Sequence, residues 1–243
     1  MPLLHPLPPL AERIIGILAP AETRVVGGWV RAYLKPEAEH RRLERVECDL
    51  ATTATPDEVA AACQSHGLSV EDEGRRWGSL CLSADNEHIE VTTLREDHYL
   101  AGSRYPTVKW TTDWTIDASR RDLTVNAIYL GPDGSLLDPF HGQEDLAAGF
   151  MRFIGDPQQR IAEDPLRWLR FLRFCAKYGM AGLTPEIMEV LAVTAPGLAS
   201  LSRPRVTEEW RRLQEEPWGG AVIALLREHD LLPQVEARLI SPA

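Results

Sequence analysis

The hydrophobic pattern of the chain changes near residue 140, and this change limits the folds that the chain can adopt. Before it, short segments that alternate apolar and polar residues are mixed with helical ones. From Glu144 onward the apolar residues recur at helical spacing, in pieces separated by glycine and proline. The sequence therefore predicts an α+β domain over residues 1–142 and an all-helical domain over residues 143–243.

Composition excludes several classes of protein. With 44% hydrophobic and 26% charged residues, the chain is typical of folded soluble proteins, and its apolar stretches are too short to span a bilayer. The N-terminus lacks a secretory signal, and four scattered cysteines without a CxxC pair argue against a zinc site or a disulfide framework. We expect a cytoplasmic protein with no membrane partner. A net charge of −10 disfavours nucleic acid, although arginines are concentrated between residues 152 and 177.

Local signals predict most of the secondary structure of the first part. Thr55 and Glu58 form a capping-box pattern at the start of one helix. The other predicted elements are helices over 8–19 and 28–34, strands over 46–50, 77–83 and 88–95, an irregular loop over 96–118, and a hairpin of 123–130 with 135–137.

Two acidic residues at alternate positions, Glu47 and Asp49, follow a Gly27–Gly28 turn by some twenty residues. Side chains two apart in a strand point to the same face, and Glu90 is predicted on a second strand. Carboxylates grouped in this way bind Mg²⁺, while glycines allow backbone amides to approach a phosphate. An isolated acidic pair is more often a solvated sheet face, so this pattern alone is a weak signal.

The segment RRDLTVNA, residues 120–127, places two arginines before a predicted strand. Its arginines can hold phosphate oxygens, and Asp122 or Asn126 can accept ribose hydroxyls or brace the arginines. The alternative is a surface cluster of arginine and aspartate at a strand end, which contributes little to stability.

The segment EDPLRWLRFLRF, residues 163–174, is predicted to start a helix. Asp164 and Arg167 are three residues apart and are expected to be neighbours on one helix face. A carboxylate that accepts from an exocyclic amine and a guanidinium that donates to the adjacent ring nitrogen recognise cytosine and adenine but not uracil or guanine. An ordinary amphipathic helix explains the same spacing.

Six motifs in this order resemble the class II tRNA nucleotidyltransferase and bacterial poly(A) polymerase family. The resemblance covers residues 22–180 well, and the helical remainder loosely. The motifs lie at residues 27–32, 47–59, 90–93, 120–127, 138–146 and 163–174.

The resemblance implies a polymerase-β-like nucleotidyltransferase head with a mixed sheet, followed by an all-helical neck and a shortened body that select the nucleotide and contact RNA. It implies a Mg²⁺ site at Glu47 and Asp49, with Glu90 as a third catalytic carboxylate. The reaction implied is transfer of C or A from CTP or ATP to the 3′ end of tRNA, with release of pyrophosphate. The residues that correspond to nucleotide-binding positions are Gly27, Gly28, Arg31, Arg121, Asp122, Asn126, Asp164, Arg167, Arg170 and Arg173.

Two positions depart from the family pattern. Glu47 and Ala32 both stand where the family usually has aspartate. Two alternatives therefore remain beside the tRNA enzyme. One is a poly(A) polymerase, which differs in its RNA acceptor, and the other is a catalytically weak homologue that binds nucleotide or RNA.

Overall fold

The computed structural model describes residues 5–35, 46–99 and 107–240. It divides the chain into two compact units. The head unit comprises the described residues up to Arg121 and then Asn126–Gln143. The helical unit comprises Asp122–Val125 and the described residues from Glu144 onward.

A mixed sheet of seven strands forms the centre of the head unit, with the order β3-β4-β5-β2-β1-β8-β9. Strands β2 and β5 are parallel, and the other neighbouring strands are antiparallel. The strands are β1 (Thr23–Val26), β2 (Asp49–Thr52), β3 (Ser69–Glu71), β4 (Ser79–Ala84), β5 (Glu87–Thr93), β8 (Tyr129–Leu130) and β9 (Leu136–Leu137).

Helices α1 (Pro9–Leu18) and α3 (Pro56–Ser65) contribute to the hydrophobic core on one face of this sheet. Leu50 of β2 pairs with Val91 of β5, and both side chains belong to that core. Because strand side chains alternate, Asp49 and Glu90, one position before each, point to the opposite face. The register of one parallel strand pair therefore brings two predicted site carboxylates to the same side.

Several local predictions for the head are confirmed. The helix predicted over 8–19 is α1, and the helix after the glycine turn is α2 (Gly28–Leu34). The capping box of α3 is present, because the Thr55 hydroxyl accepts from the Glu58 amide and the Glu58 carboxylate accepts from the Thr55 amide. The predicted strand pair is β4 with β5, joined by a turn in which Asp85 and Asn86 have positive φ.

Three predictions for the head were wrong. The strand predicted over 46–50 begins only at Asp49, so Glu47 lies before it. The strand predicted over 123–130 is reduced to β8, because a short 3-10 helix occupies Thr124–Asn126. The segment predicted as an irregular loop contains β6 (Arg95–His98), β7 (Thr107–Trp110) and α4 (Trp114–Ser119). Residues 100–106 of that prediction lie outside the described residues.

In its described residues the helical unit contains helices and one isolated bridge between Leu123 and Phe153, in agreement with the helical pattern. Helix α7 supplies much of its core, including the fully buried Trp168 and Phe171. The helices are α5 (Gly142–Ala148), α6 (Pro157–Glu163), α7 (Leu166–Tyr178), α8 (Pro185–Thr194), α9 (Arg203–Glu215), α10 (Gly219–Glu228) and α11 (Leu232–Ile240).

Candidate active site

The glycine turn of the head unit lies beside the first acid of β2. Gly27 has a φ of 78°, a conformation that side chains rarely adopt, and it caps α2. A Cβ added to Gly27 would be 3.4 Å from Oδ2 of Asp49. Gly28 is similarly close to the segment before β2, since its added Cβ would be 3.5 Å from the carbonyl oxygen of Glu47. The turn therefore leaves room next to the acids that larger residues would fill.

The three predicted carboxylates of the head influence one another. The pKa of Asp49 is raised to about 6, first by burial and then by the negative charges of Glu90 and Glu47. The guanidinium groups of Arg121 and Arg31 oppose this shift in the pKa of Asp49. Asp49 thus lies among the acids and arginines that the sequence singled out, and burial together with the neighbouring acids outweighs the effect of the arginines on its pKa.

Glu90 is held by its own neighbours on the sheet. The hydroxyl of Ser79 donates a hydrogen bond to Oε1 of Glu90, and the hydroxyl of Thr92 lies 3.5 Å from the same oxygen.

Among the residues that the structure describes, no group of three or more His, Cys, Asp or Glu side chains is arranged to hold a metal ion. Mg²⁺ usually binds one or two protein carboxylates and completes its shell with water and substrate phosphates. Glu47 and Asp49 fit that smaller ligand set.

Two arginines of the head are joined through Asn126. Nη1 of Arg31 donates to the side-chain oxygen of Asn126, and Nη1 of Arg121 donates to its backbone oxygen over 3.3 Å. Both arginines also act on the charge of Asp49. Asn126 therefore braces the arginines, one of the two uses predicted for it, and it connects residues 95 positions apart.

The sequence analysis missed Asp117, which is fully buried in α4. Its Oδ1 accepts from Nε of Arg120 over 2.8 Å, and its Oδ2 accepts from Nε of Arg121 over 3.2 Å and from the hydroxyl of Tyr129 over 2.7 Å. Burial alone would raise the pKa of Asp117, but Arg121 and Arg120 lower that pKa to about 2. A carboxylate three residues before the RRD segment was the available sequence signal.

The helical unit contradicts the predicted pairing of Asp164 with Arg167 on one helix face. Helix α7 begins at Leu166, so Asp164 lies before it, and Oδ1 of Asp164 accepts from the Leu166 amide over 3.1 Å. Nη1 of Arg167 instead lies 2.6 Å from Oε2 of Glu163. Oδ2 of Asp164 lies 3.2 Å from Nη2 of Arg205. The proline after Asp164 explains the difference, because the residue before a proline is disfavoured in helical conformation.

The two following arginines of α7 are paired with acids from elsewhere in the helical unit. Nε of Arg170 donates to Oδ2 of Asp122 over 2.7 Å, and Nε of Arg173 donates to Oε2 of Glu209 over 2.7 Å. Asp122 therefore holds Arg170 of α7, a pairing that was not predicted from the sequence.

Comparisons with known proteins show the family to which the chain belongs. Residues 23–152 match the model of the poly A polymerase head domain. The chain therefore belongs to the poly A polymerase head-domain family, a family of nucleotidyltransferases, and membership implies dependence on a divalent metal ion in general terms.

Relatives and structures of the same kind extend the similarity beyond the head. The chain is 38% identical to human mitochondrial CCA tRNA nucleotidyltransferase 1 over 88% of its length and 48% of the relative's. It is 36% identical to the CCA-adding enzyme of Bacillus subtilis over 77% of its length and 45% of the relative's. The chain thus spans about half the length of the curated relatives it matches.

A crystal structure of the Bacillus stearothermophilus CCA-adding enzyme in complex with CTP covers 93% of this chain and 53% of its own, with a TM-score of 0.74 and 27% identity. The predicted fold class, a polymerase-β-like head with a mixed sheet followed by helices, is confirmed. No helix within residues 5–35, 46–99 and 107–240 is long and apolar enough to cross a membrane.

Proposed function

We propose that this chain is a template-independent nucleotidyltransferase that adds C, A or both to the 3′ end of tRNA from CTP and ATP and releases pyrophosphate. The observation that supports it best is the geometry around Asp49. Its Oδ2 lies 3.4 Å from a Cβ added to Gly27, and the register of β2 with β5 turns Asp49 and Glu90 to the same face. Arg31 and Arg121 are joined through Asn126 in the same unit. Carboxylates that repel one another beside fixed arginines suit a cation bound together with a triphosphate.

The roles follow from the chemistry of each group. Glu47 and Asp49 are proposed to hold Mg²⁺, with Glu90 as a supporting carboxylate. When bound, the metal ion neutralises charge on the triphosphate and lowers the pKa of the attacking hydroxyl. Gly27 and Gly28 admit the triphosphate to the turn, where Arg31 and Arg121 bind its oxygens; Asn126 fixes both arginines.

The reaction is an in-line displacement at the α-phosphorus. The 3′-hydroxyl oxygen of the RNA forms a bond to this phosphorus, and the bond from the phosphorus to the bridging α,β-oxygen breaks. The hydroxyl loses its proton to solvent water, and pyrophosphate leaves with the bonding electron pair. Positioning and charge compensation by the head residues supply most of the catalysis in a reaction of this type.

The helical unit is proposed to select the base. In this role Asp164 accepts from the exocyclic amine of cytosine or adenine, and Arg167 donates to the neighbouring ring nitrogen, while Arg170 and Arg173 contact the nucleotide. Asp122 takes part by holding Arg170. Because Arg167 is paired with Glu163 and Asp164 with Arg205, base recognition requires both pairs to rearrange. We therefore propose chemistry for residues 1–142, and nucleotide selection and RNA contact for residues 143–243.

The assay uses tRNA that lacks its 3′ end, Mg²⁺ and each labelled nucleotide in turn. Extension by one to three nucleotides supports the proposal. Long A tails support a poly(A) polymerase, which the name of the matching family favours. Nucleotide binding without any incorporation supports a catalytically weak homologue, which Glu47 and Ala32 motivate. A cytoplasmic location stays a prediction, and microscopy of the tagged protein tests it.

A further inference from the structure

Asp117 is the most heavily hydrogen-bonded carboxylate of the head unit among the described residues, and it lies outside the acidic pair and the glycine turn. It has no exposed surface, and a buried charge is costly unless it is paired. Besides Arg120, Arg121 and Tyr129, it accepts from the backbone amide of Arg95 over 3.2 Å. Both of its oxygens are therefore engaged.

The hydrogen bonds of Asp117 fix the orientation of one guanidinium in particular. Both Nε and Nη2 of Arg121 lie 3.2 Å from Oδ2 of Asp117, and Nε of Arg121 also lies 3.1 Å from the hydroxyl of Tyr129. Nη1 of Arg121 points to the backbone oxygen of Asn126. A planar guanidinium held along two edges has one orientation, and a fixed donor contributes more to anion binding than a mobile one.

Arg121 is in turn connected to the glycine turn through Asn126, whose side-chain oxygen accepts from Nη1 of Arg31. A Cβ added to Gly28 would lie 3.8 Å from Nη2 of Arg31. Arg120 extends the contact on the other side, because its Nη2 lies 2.7 Å from Oδ1 of Asp117. The backbone of Arg95 begins β6, so the carboxylate also connects the β6–β7 hairpin to the RRD segment. Asp117 lies at the point where these elements of the head meet.

We propose that Asp117 is a positioning residue that orients Arg121 toward the phosphates of the bound nucleotide, and that it acts through Arg121 rather than on the substrate. This inference rests on the proposed function, because it assigns Arg121 to the triphosphate. It predicts that losing the carboxylate weakens nucleotide binding only while Arg121 is present.

A double-mutant cycle tests this dependence. The variants are Asp117→Asn, Arg121→Gln and the double variant, and the measured quantities are the Kd of ATP with Mg²⁺ and, for transfer, KM and kcat separately. We expect Asp117→Asn to raise the Kd and KM of ATP by roughly 10-fold, the scale of a charge-assisted hydrogen bond. In the Arg121→Gln background the same change should have little further effect. Equal effects in both backgrounds would overturn the proposal.

Two further variants keep the test decisive. If Asp117→Asn does not fold, Tyr129→Phe removes the hydroxyl shared by Asp117 and Arg121 without removing a charge, and its effect on the Kd of ATP must likewise disappear when Arg121 is glutamine. Glu22→Gln is the matched control, because Glu22 accepts from Nε1 of Trp114 over 2.9 Å and so touches the same helix from outside the site. A rise in the Kd of ATP for Glu22→Gln equal to that for Asp117→Asn would show a general effect of α4 and refute the proposal.

Failure of the proposed function gives a different result. If the unmodified protein binds no ATP in the presence of Mg²⁺, the nucleotidyltransferase proposal itself fails. If it binds ATP but the double-mutant cycle is additive, only the role of Asp117 fails.

Discussion

The head and helical units use the same residue types, arginine and carboxylate, in opposite arrangements. In the head, burial and then the negative charges of Glu90 and Glu47 raise the pKa of Asp49, so the acids act against one another. In the helical unit, the arginines of α7 are matched by acids, in the pairs Arg167–Glu163, Arg170–Asp122 and Arg173–Glu209.

This difference separates two ways of preparing a site for a ligand. In the head, the carboxylates repel one another, and a bound cation would relieve this repulsion. The repulsion therefore favours cation binding. In the helical unit, the arginines of α7 already have acid partners, so a base must replace these ion pairs in order to bind. Only a base with matching hydrogen-bond donors and acceptors recovers the free energy of the ion pairs that are lost. This difference supports the proposal that the head binds metal and phosphate and that the helical unit discriminates between bases.

The largest effect should come from removing the central acid of the head. We expect Asp49→Ala to lower the rate of nucleotide transfer by roughly 10²- to 10³-fold, the loss typical of a group that stabilises transition-state charge. Labelled-nucleotide incorporation into tRNA measures it. Glu87→Ala is the control, because Glu87 is an exposed acid at the start of β5, the strand that pairs with β2, and lies outside the cluster. A comparable loss of transfer rate in both variants would mean that these acids act only through the net negative charge of the head and not at a defined site.

A smaller effect is expected on base choice in the helical unit. Arg167→Ala should reduce the preference for C and A over U and G by about 10-fold, because a paired hydrogen-bond contact to a base is worth that much discrimination. Incorporation assays with each of the four nucleotides measure the preference. Arg212→Ala, which removes an exposed arginine of α9 paired with Glu208, is the control.

Since Arg167 is 9% exposed, its loss also removes a buried ion-pair partner, and thermal melting must accompany the assay. Arg167→Lys keeps the charge if the alanine variant does not fold. If a folded Arg167 variant keeps its base preference, Arg167 does not discriminate between bases and serves only the structure of the helical unit.

Two acids of the head, Asp49 and Asp117, have opposite shifts of their pKa and therefore predict opposite responses to pH. The folded-state pKa of Asp49 is about 6, above its ordinary value of 3.8, so the folded protein binds this proton more tightly than the unfolded one. Without metal, the contribution of Asp49 should therefore reduce stability as pH rises from about 4 to 6. For Asp117, with a pKa of about 2, the contribution to stability is present above its ordinary pKa of 3.8 and is lost as pH falls toward 2.

Thermal melting in a chelator from pH 4 to 8 checks this prediction. Asp49→Asn should become more stable than the unmodified protein above about pH 6, and added Mg²⁺ should reduce the difference by stabilising only the protein that keeps the acid. An identical pH dependence of the two proteins would indicate that Asp49 is not under repulsion.

The smallest effect is expected outside both sites. Thr55→Ala removes the hydroxyl that caps α3 and should reduce the free energy of unfolding by about 1 kcal/mol, while nucleotide transfer stays unchanged. Denaturant unfolding measures the first quantity and the incorporation assay the second. A loss of transfer in this variant would show that activity depends on the general stability of the head, which would weaken the conclusions from the site variants.

Local signals in the sequence were sufficient for much of the fold. A capping box and a glycine turn act within a few residues, so α2 and α3 were predicted correctly from Gly27, Thr55 and Glu58. The β6–β7 hairpin was missed because all four residues of β6 are polar, which removes the alternation that identifies a strand, and because β7 has only four residues, too few to show a pattern.

The candidate site was predictable in its residues but not in its pairings. The acids and arginines of the head were identified, whereas the acid partners of the α7 arginines were not, because Glu209 is 36 residues from Arg173 and Asp122 is 48 residues from Arg170. Asp117 was overlooked for the same reason: its importance comes from Tyr129 and Arg95, which only tertiary packing brings to it. Their spacing suggested that Asp164 and Arg167 share one helix face, but the proline between them places Asp164 before α7, and Arg167 pairs with Glu163.

The pairing of Leu50 with Val91 also protects the sheet against misfolding. A slip by one residue in either strand would turn Asp49 or Glu90 into the hydrophobic core and expose a large aliphatic side chain to water. Burying an unpaired carboxylate is so unfavourable that such a slipped sheet could not compete with the native one. The carboxylates at these two positions thus also reject incorrectly aligned strands, and a variant that neutralises both acids should fold with less fidelity even as its native state loses the repulsion between them.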